Sequence, residues 1–178
     1  PVVIVGAGQA GMQLATGLRQ LGSTVPITLI GDEPYPPYER PPLSKAYLAG
    51  ELDQERLWFR RAKAYAEQDI ALRLATRVTA IDRAARTVTT DGGDVLPYET
   101  CVLATGARAR RLDVPGAELA GVHVLRGLDD ADALRDALRP GLEVAVVGGG
   151  YIGMEIAASL TKLGGNVTVV EAAPRVMS

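Results

Sequence analysis

The sequence predicts an α/β fold, in which two βαβ motifs are separated by an antiparallel β-meander. Three observations predict it. Two short apolar runs each lead directly into a glycine-rich loop, a helical leucine repeat follows the first loop, and apolar residues alternate in the middle of the chain. Continuous apolar runs that end in glycine are typical of buried parallel strands, whereas alternation is typical of antiparallel strands.

The first βαβ motif occupies the start of the chain. Val2–Val5 is an apolar run that predicts a buried strand, and Ile27–Ile30 predicts the next one. Between them a leucine repeat with helical spacing predicts one apolar helix face, with Gly22 as its stop: Leu14, Leu18 and Leu21.

The middle of the chain contains a proline-rich segment and then a stretch of alternating apolar residues. Residues 31–50 contain five prolines and predict an irregular, functional segment. After a short helix predicted over Ala62–Gln68, alternating residues and the turn signal Asp91-Gly92-Gly93 predict the β-meander, with strands around Val78–Ile81, Thr87–Thr89 and Val95-Leu96. Cys101–Ala104 predicts one more buried strand.

The second βαβ motif follows a linker. An amphipathic helix is predicted over Asp129–Leu138, and strands over Val144–Val147 and Val167–Val170 enclose a second glycine loop and helix. We therefore expect a first domain over residues 1–112, a linker over 113–121 and an incomplete second domain over 122–178. A doubly wound sheet needs more strands, so we expect a portion of a longer protein.

Composition excludes several classes of protein. Of the 178 residues 47% are hydrophobic and 22% charged, which is typical of a globular domain. The net charge of −2 gives no basic surplus for nucleic acid, and no apolar run is long enough to span a membrane. Cys101 and His123 are each the sole residue of their type, so we expect no disulfide, dithiol relay or metal site. A cytoplasmic protein is the default expectation.

The first glycine loop carries a phosphate-binding pattern. Gly6-Ala7-Gly8-Gln9-Ala10-Gly11 matches G-x-G-x-x-G between a predicted strand and a helix. The first glycine makes the turn, the second lets a pyrophosphate approach the backbone, and the third lets helix and strand pack closely. Asp32, 21 residues after Gly11, would bind the ribose hydroxyls, with Glu33 as an alternative.

The second loop repeats this pattern. Gly148-Gly149-Gly150-Tyr151-Ile152-Gly153 also joins a strand to a helix, and Glu171 follows 18 residues after Gly153. A carboxylate there accepts from a 2′-hydroxyl and repels a 2′-phosphate, which favours NADH over NADPH, although Arg175 could weaken that preference. Two dinucleotide sites indicate two cofactors, most simply FAD and a nicotinamide.

Three further segments resemble those of a known family. Tyr35–Lys45 (YPPYERPPLSK) closely resembles a segment of the ferredoxin and rubredoxin reductases, Gly150–Glu155 resembles their GYIGxE motif, and Leu103–Gly106 resembles the ATG segment that lies against FAD. The resemblance covers the whole chain. It implies a Rossmann-like FAD-binding domain with a β-meander, followed by the start of a Rossmann-like NAD-binding domain.

The resemblance implies cofactor contacts in both domains. Val78 would contact the adenine through its backbone, Lys45 would lie near the isoalloxazine ring, and Arg126 would approach the flavin region. FAD would be bound by Gly6, Gly8, Ala10, Gly11, Asp32, Arg40, Lys45, Val78, Ala104, Thr105, Gly106 and Arg126. NADH would be bound by Gly148, Gly150, Tyr151, Ile152, Gly153 and Glu171.

The resemblance also implies an ion pair between Lys45 and Glu155 beside the flavin. A cation near the electron-rich reduced ring stabilises it, and a carboxylate partner tempers that effect. The alternatives are plain surface charges for both residues and a loop-capping role for Arg40. Likewise, the basic cluster around Trp58 is either a docking patch or a solvated face, and we slightly prefer the solvated face.

The implied activity is transfer of hydride from NADH through FAD, with electrons passed one at a time to an iron–sulfur carrier, either a ferredoxin or a rubredoxin, in an oxygenase system. Two alternatives remain open. One is a reductase that acts directly on a small acceptor. The other is a flavoprotein that senses NADH, like apoptosis-inducing factor. Oligomeric state is not predicted.

Overall fold

The fold is described from a computed structural model, which describes residues 1–177. The chain forms two compact units. The first consists of Pro1–Glu39 and Trp58–Ala107, and the second consists of Arg40–Leu57 and Arg108 onward. The proline-rich segment is therefore divided between the units. The domain boundaries that we expected from the sequence remain a prediction.

The first unit is built on a parallel sheet of four strands in the order β3-β2-β1-β7. The strands are β1 (Val2–Val5), β2 (Ile27–Ile30), β3 (Ile70–Arg73) and β7 (Thr100–Leu103). Helices α1 (Gln9–Gln20) and α2 (Ala62–Ala66) belong to the same unit. An antiparallel meander of β4 (Val78–Asp82), β5 (Thr87–Thr90) and β6 (Val95–Pro97) completes it. The predicted Rossmann-like fold is confirmed.

Two apolar clusters hold the first unit together. One cluster joins Ile4 and Leu29 of the sheet to Met12 and Ala15 of α1 and to Tyr65 of α2. The other joins Val3, Val5 and Ile30 to Val88 of the meander. Because alternate residues of β1 enter different clusters, the parallel sheet is buried on both faces, as such sheets usually are.

Helix α1 departs from the predicted apolar face at its end. Leu14 and Leu18 pack against the first cluster, but Leu21 lies beyond the helix and is 87% exposed. Gly22, with φ +79°, ends the helix as predicted, because its N–H donates to Arg19 O while that of Ser23 donates to Leu18 O. Because the helix ends before Gly22, Leu21 lies outside the apolar face of the helix.

The second unit contains a two-stranded parallel sheet of β8 (Glu143–Val147) and β9 (Asn166–Val170), with helices α3 (Leu128–Ala137) and α4 (Tyr151–Lys162). Two 3-10 turns, Pro41–Ser44 and Gln54–Leu57, lie in its Arg40–Leu57 stretch, the first of them in the proline-rich segment. Leu48 packs with Val146, Ala157 and Leu160 in the apolar cluster of this unit. The segment predicted to be irregular is thus locally ordered.

No helix within residues 1–177 is both long and apolar enough to cross a membrane. The same residues contain no cluster of three or more histidine, cysteine, aspartate or glutamate side chains arranged for a metal ion.

The Tyr65 hydroxyl provides a test of the core. Tyr65 is fully buried, and within residues 1–177 its hydroxyl has no hydrogen-bond partner. Burial raises the pKa of this hydroxyl to about 12. Since an unpaired buried polar group costs free energy, we expect Tyr65→Phe to leave stability unchanged or to raise it by about 1 kcal/mol in urea unfolding. Tyr47→Phe, which removes a hydroxyl paired with Asp132, should instead lower stability. Equal losses in the two variants would contradict this prediction.

Candidate functional site

The first glycine loop has the geometry of a pyrophosphate-binding turn. Gly6 has φ +116°, and a Cβ there would lie 2.1 Å from the carbonyl oxygen of Ala104. A Cβ on Gly11 would lie 2.0 Å from Gly6 O, so both positions admit only glycine. A Cβ on Gly8, by contrast, would meet no atom within 4 Å. The space beside Gly8 is where the backbone can accept a phosphate group.

The loop also brings two predicted FAD segments together. Ala104 donates its N–H to Val5 O at 2.7 Å, which places the start of the Ala104–Gly106 segment directly against Gly6. Helix α1 then begins at Gln9 with Gly8 as its N-cap. The first N–H groups of a helix lack partners within the helix, and its dipole is positive at that end, so this arrangement fits a pyrophosphate.

The acids after β2 lie in different surroundings. Asp32 is exposed and pairs with Arg77, whose guanidinium nitrogen lies 3.3 Å from Asp32 Oδ2. Glu33 is half-buried and accepts a 2.5 Å hydrogen bond from the Tyr38 hydroxyl. Arg77 immediately precedes Val78 in β4, so the predicted ribose and adenine contacts are brought together. The sequence offered no signal for the Arg77 contact.

An aromatic cluster flanks Glu33. The rings of Tyr35 and Trp58 stack with centroids 5.9 Å apart, and Tyr38 meets Trp58 edge-on at 6.0 Å. Because this packing restricts Tyr38, it also fixes the hydroxyl that Glu33 accepts from.

The second glycine loop repeats the geometry of the first. Gly148 has φ +104°, and a Cβ on Gly153 would lie 1.9 Å from Gly148 O. The N-cap Gly150 has open space where its Cβ would be, and α4 begins directly after it. Tyr151 and Ile152 are 75% and 57% exposed. This loop fits a second pyrophosphate for the same reasons as the first.

Glu171 lies against this second loop. Its Oε2 accepts from Gly149 N at 2.6 Å, and its Oε1 accepts from Ala173 N at 2.8 Å. These backbone N–H groups, that of Ala173 first, lower the pKa of the Glu171 carboxyl below its ordinary value. A negative charge is therefore held at the end of β9, where the sequence predicts the ribose contact.

The structure brings Lys45 and Glu155 together in the second unit. Lys45 Nζ lies 2.7 Å from Glu155 Oε2, which also accepts from Ser44 Oγ at 2.6 Å. Lys45 and Ser44, in that order, lower the pKa of the Glu155 carboxyl. The predicted ion pair is present, and its place beside a flavin remains a prediction. Ser44 belongs to the motif that the sequence singled out, but no role was predicted for it.

Two other predicted residues also meet in this unit. Arg40 donates from a guanidinium nitrogen to the backbone oxygen of Arg126 at 2.8 Å. The N–H groups of Arg126 and Gly127 donate to Asp130 Oδ2, which fixes the start of α3. Arg40 and Lys45 flank the same 3-10 turn, Pro41–Ser44, so the contact between Arg40 and Arg126 lies one turn from the pair of Lys45 and Glu155.

Cys101 behaves as a structural residue. It is half-buried against the cluster around Val88, and burial raises the pKa of its thiol. A thiol with a raised pKa is a weak nucleophile, which fits the place of Cys101 in a strand that the sequence predicts to be buried.

Comparison with known proteins gives consistent matches. Residues 1–178 match the pyridine nucleotide-disulphide oxidoreductase family. The probable ferredoxin reductase CtmF of Castellaniella defragrans is 48% identical over 99% of this chain and 43% of its own length. The chain therefore spans less than half of that relative.

Solved structures give the same result. A ferredoxin reductase from Rhodopseudomonas palustris superposes with a TM-score of 0.95 at 47% identity, over 99% of this chain and 43% of that one. The reductase in a covalent putidaredoxin reductase–putidaredoxin complex superposes with a TM-score of 0.93 at 44% identity, with the same coverage.

Proposed function

The chain belongs to the pyridine nucleotide-disulphide oxidoreductase family, and from that premise we propose that it forms part of an NADH-dependent ferredoxin or rubredoxin reductase. The enzyme would take hydride from NADH through FAD and pass electrons singly to an iron–sulfur carrier in an oxygenase system. The relatives named as ferredoxin reductases support this choice of acceptor. We further propose a cytoplasmic location.

The repeated glycine-loop geometry carries this proposal. Both loops follow a parallel strand, begin a helix at a glycine with open space beside it, and are accompanied by an acid after the next strand. One such loop is a weak indication of function, whereas two in one chain favour two dinucleotides. We assign the first loop, Asp32, Val78 and Ala104–Gly106 to FAD, and the second loop and Glu171 to NADH.

The residues of the second unit supply positioning and charge. Bound FAD would accept hydride and release single electrons, chemistry that the protein side chains cannot perform. Lys45 is half-exposed, so its ammonium is available to a ligand while it stays paired with Glu155. With Arg40 and Arg126, it would place positive charge where an electron-rich ring gains density. Hydride transfer depends chiefly on such positioning.

An anaerobic titration tests the proposal. The full-length protein to which this chain belongs is purified and reconstituted with FAD, its flavin spectrum is recorded, and NADH or NADPH is added. We expect a flavin spectrum that bleaches with NADH at lower concentration than with NADPH. Reduction of purified ferredoxin or rubredoxin, compared with a dye and with the ascorbyl radical, then identifies the acceptor class. A full-length protein that cannot retain FAD would overturn the proposed function.

Replacing Glu171 with glutamine tests the nicotinamide preference. The amide keeps the shape of the side chain but removes the charge that would repel a 2′-phosphate. We expect the preference for NADH over NADPH, measured as the ratio of half-bleaching concentrations, to fall about tenfold. Glu143→Gln removes a charge at the other end of the same sheet and should leave the ratio unchanged. An unchanged ratio in Glu171→Gln would remove this role from Glu171.

A further inference from the structure

The turn before Lys45 directs two neighbouring side chains differently. Pro41–Ser44 forms a 3-10 turn in which Leu43 and Ser44 are buried, with Ser44 only 5% exposed. The next residue, Lys45, projects outward, and its side chain is 51% exposed. Ser44 is therefore held in place by burial, whereas Lys45 is held only through its ammonium, which donates to Pro41 O at 3.3 Å and pairs with Glu155.

The buried serine and the exposed lysine share one acceptor. Ser44 Oγ donates to Glu155 Oε2 at 2.6 Å, and Lys45 Nζ lies 2.7 Å from the same oxygen. A hydroxyl bond to a carboxylate at this distance is a strong, charge-assisted bond. Ser159 Oγ in turn donates to the backbone oxygen of Ser44 at 2.7 Å, so α4 holds the serine from both sides.

Lys45 is exposed and Glu155 is half-buried, so their ion pair does not by itself fix the position of either side chain. Both side chains are long and flexible, and solvent reaches the pair from the Lys45 side, so such pairs usually contribute little. Ser44 has one short, buried side chain, and its hydroxyl loses little freedom when it donates. The fixed contact in this network is therefore the bond between serine and glutamate.

We propose that Ser44 is a positioning residue, which fixes the Glu155 carboxylate and through it the Lys45 ammonium that faces the flavin. This inference rests on the proposed function for the place of the flavin. The contact between Ser44 and Glu155 stands on the geometry alone. Ser44 touches neither cofactor nor substrate in this scheme and acts only through Glu155.

Loss of the Ser44 hydroxyl would change the protonation of Glu155. Lys45 is the charged group that acts on Glu155, and with Ser44 it favours the ionised carboxylate. Loss of the serine hydroxyl removes one of these two donors, so the folded-state pKa of Glu155 should rise. The ion pair would then be lost at a higher pH as the solution is acidified.

The first experiment needs no cofactor. The Glu155 side-chain carboxyl is followed by ¹³C NMR against pH in the chain itself, with Glu155→Gln used to assign its signal. We expect Ser44→Ala to raise proton affinity at Glu155 about tenfold, and Ser44→Thr, which keeps a hydroxyl, to restore most of the change.

Tyr47→Phe is the control for general loosening of the segment. It removes the 2.7 Å bond from the Tyr47 hydroxyl to Asp132, which also anchors this segment, but leaves the contacts of Glu155 intact. We expect its Glu155 titration to match that of the unmodified protein. An unchanged titration in Ser44→Ala, or an equal shift in Tyr47→Phe, would overturn the positioning role.

The second experiment uses the FAD-loaded protein. We expect Ser44→Ala to reduce the rate of anaerobic flavin reduction by NADH about tenfold at mildly acidic pH, with a smaller loss at alkaline pH, and Ser44→Thr to recover it. A normal rate and pH profile in Ser44→Ala would overturn this inference alone. Failure of the unmodified full-length protein to bind FAD would overturn the proposed function, while the NMR titration would still decide the contact between Ser44 and Glu155.

Discussion

Replacing Gly11 with alanine is expected to lower the unfolding free energy by about 3 kcal/mol, the upper part of the range for overpacking. The new Cβ would lie 2.0 Å from the backbone oxygen of Gly6 and 3.1 Å from Leu29 Cδ1. A side chain could rotate away, but a backbone oxygen cannot do so without moving the whole turn. Urea unfolding followed by circular dichroism measures the loss.

Gly17→Ala is the matched control for this prediction. Gly17 lies in the same helix, and a Cβ there would meet no atom within 4 Å. Because alanine is the better helix former, this variant should gain about 0.5–1 kcal/mol. If Gly11→Ala unfolded at the same urea concentration as the unmodified protein, that result would contradict the close packing of α1 against the first glycine loop.

Replacing Gly8 with alanine is expected to weaken FAD binding severely while the fold survives. Gly8 has φ −87°, which alanine also adopts, and its Cβ would enter open space. Stability should therefore stay within about 1 kcal/mol. Under the proposed function that space receives the pyrophosphate, so FAD affinity should fall at least about a hundredfold. Fluorescence titration of the unliganded protein with FAD measures this loss.

Gly150→Ala makes the same change at the second loop. It should leave FAD binding intact and weaken NADH, as measured by the NADH concentration that half-bleaches the flavin. Normal FAD affinity in Gly8→Ala would show that the first loop does not hold the pyrophosphate. Loss of FAD in Gly150→Ala would show that the two loops are not separate sites.

The elements with a strong local signal could be predicted from the sequence. β1 and β2 are apolar runs next to glycine or proline, and α1 stops just before the predicted glycine stop, Gly22. The meander follows from alternation and from the Asp91–Gly93 turn. In each case the signal lies within about ten neighbouring residues, so no distant contact was needed to interpret it.

β3 was missed because its identity depends on distant contacts. Ile70–Arg73 is short. The residue before it, Asp69, has a φ of +53°, but no glycine marks this turn in the sequence. The strand is defined by parallel pairing with β2, where Ile70 opposes Ile27. The guanidinium of Arg19 also fixes the approach to β3 through the backbone oxygens of Gln68 and Asp69. None of these partners is close in sequence.

The candidate site likewise contains features that local sequence predicts and features that it does not. The glycine loops follow from spacing and backbone chemistry, which are local. The Lys45–Glu155 pair came from a resemblance, because no periodicity connects residues so far apart in the chain. The contacts of Arg77 and Ser44 depend on tertiary packing and were visible only in the structure.

The assignment of Arg40–Leu57 to the second unit limits how the protein can be divided experimentally. The chain passes from one unit to the other at residues 39–40, 57–58 and 107–108. A chimera that exchanges only the part after Ala107 would remove Val146, Ala157 and Leu160 from the Leu48 that packs with them. A chimera designed to exchange nicotinamide specificity between relatives should therefore transfer Arg40–Leu57 together with the part of the chain from Arg108 onward.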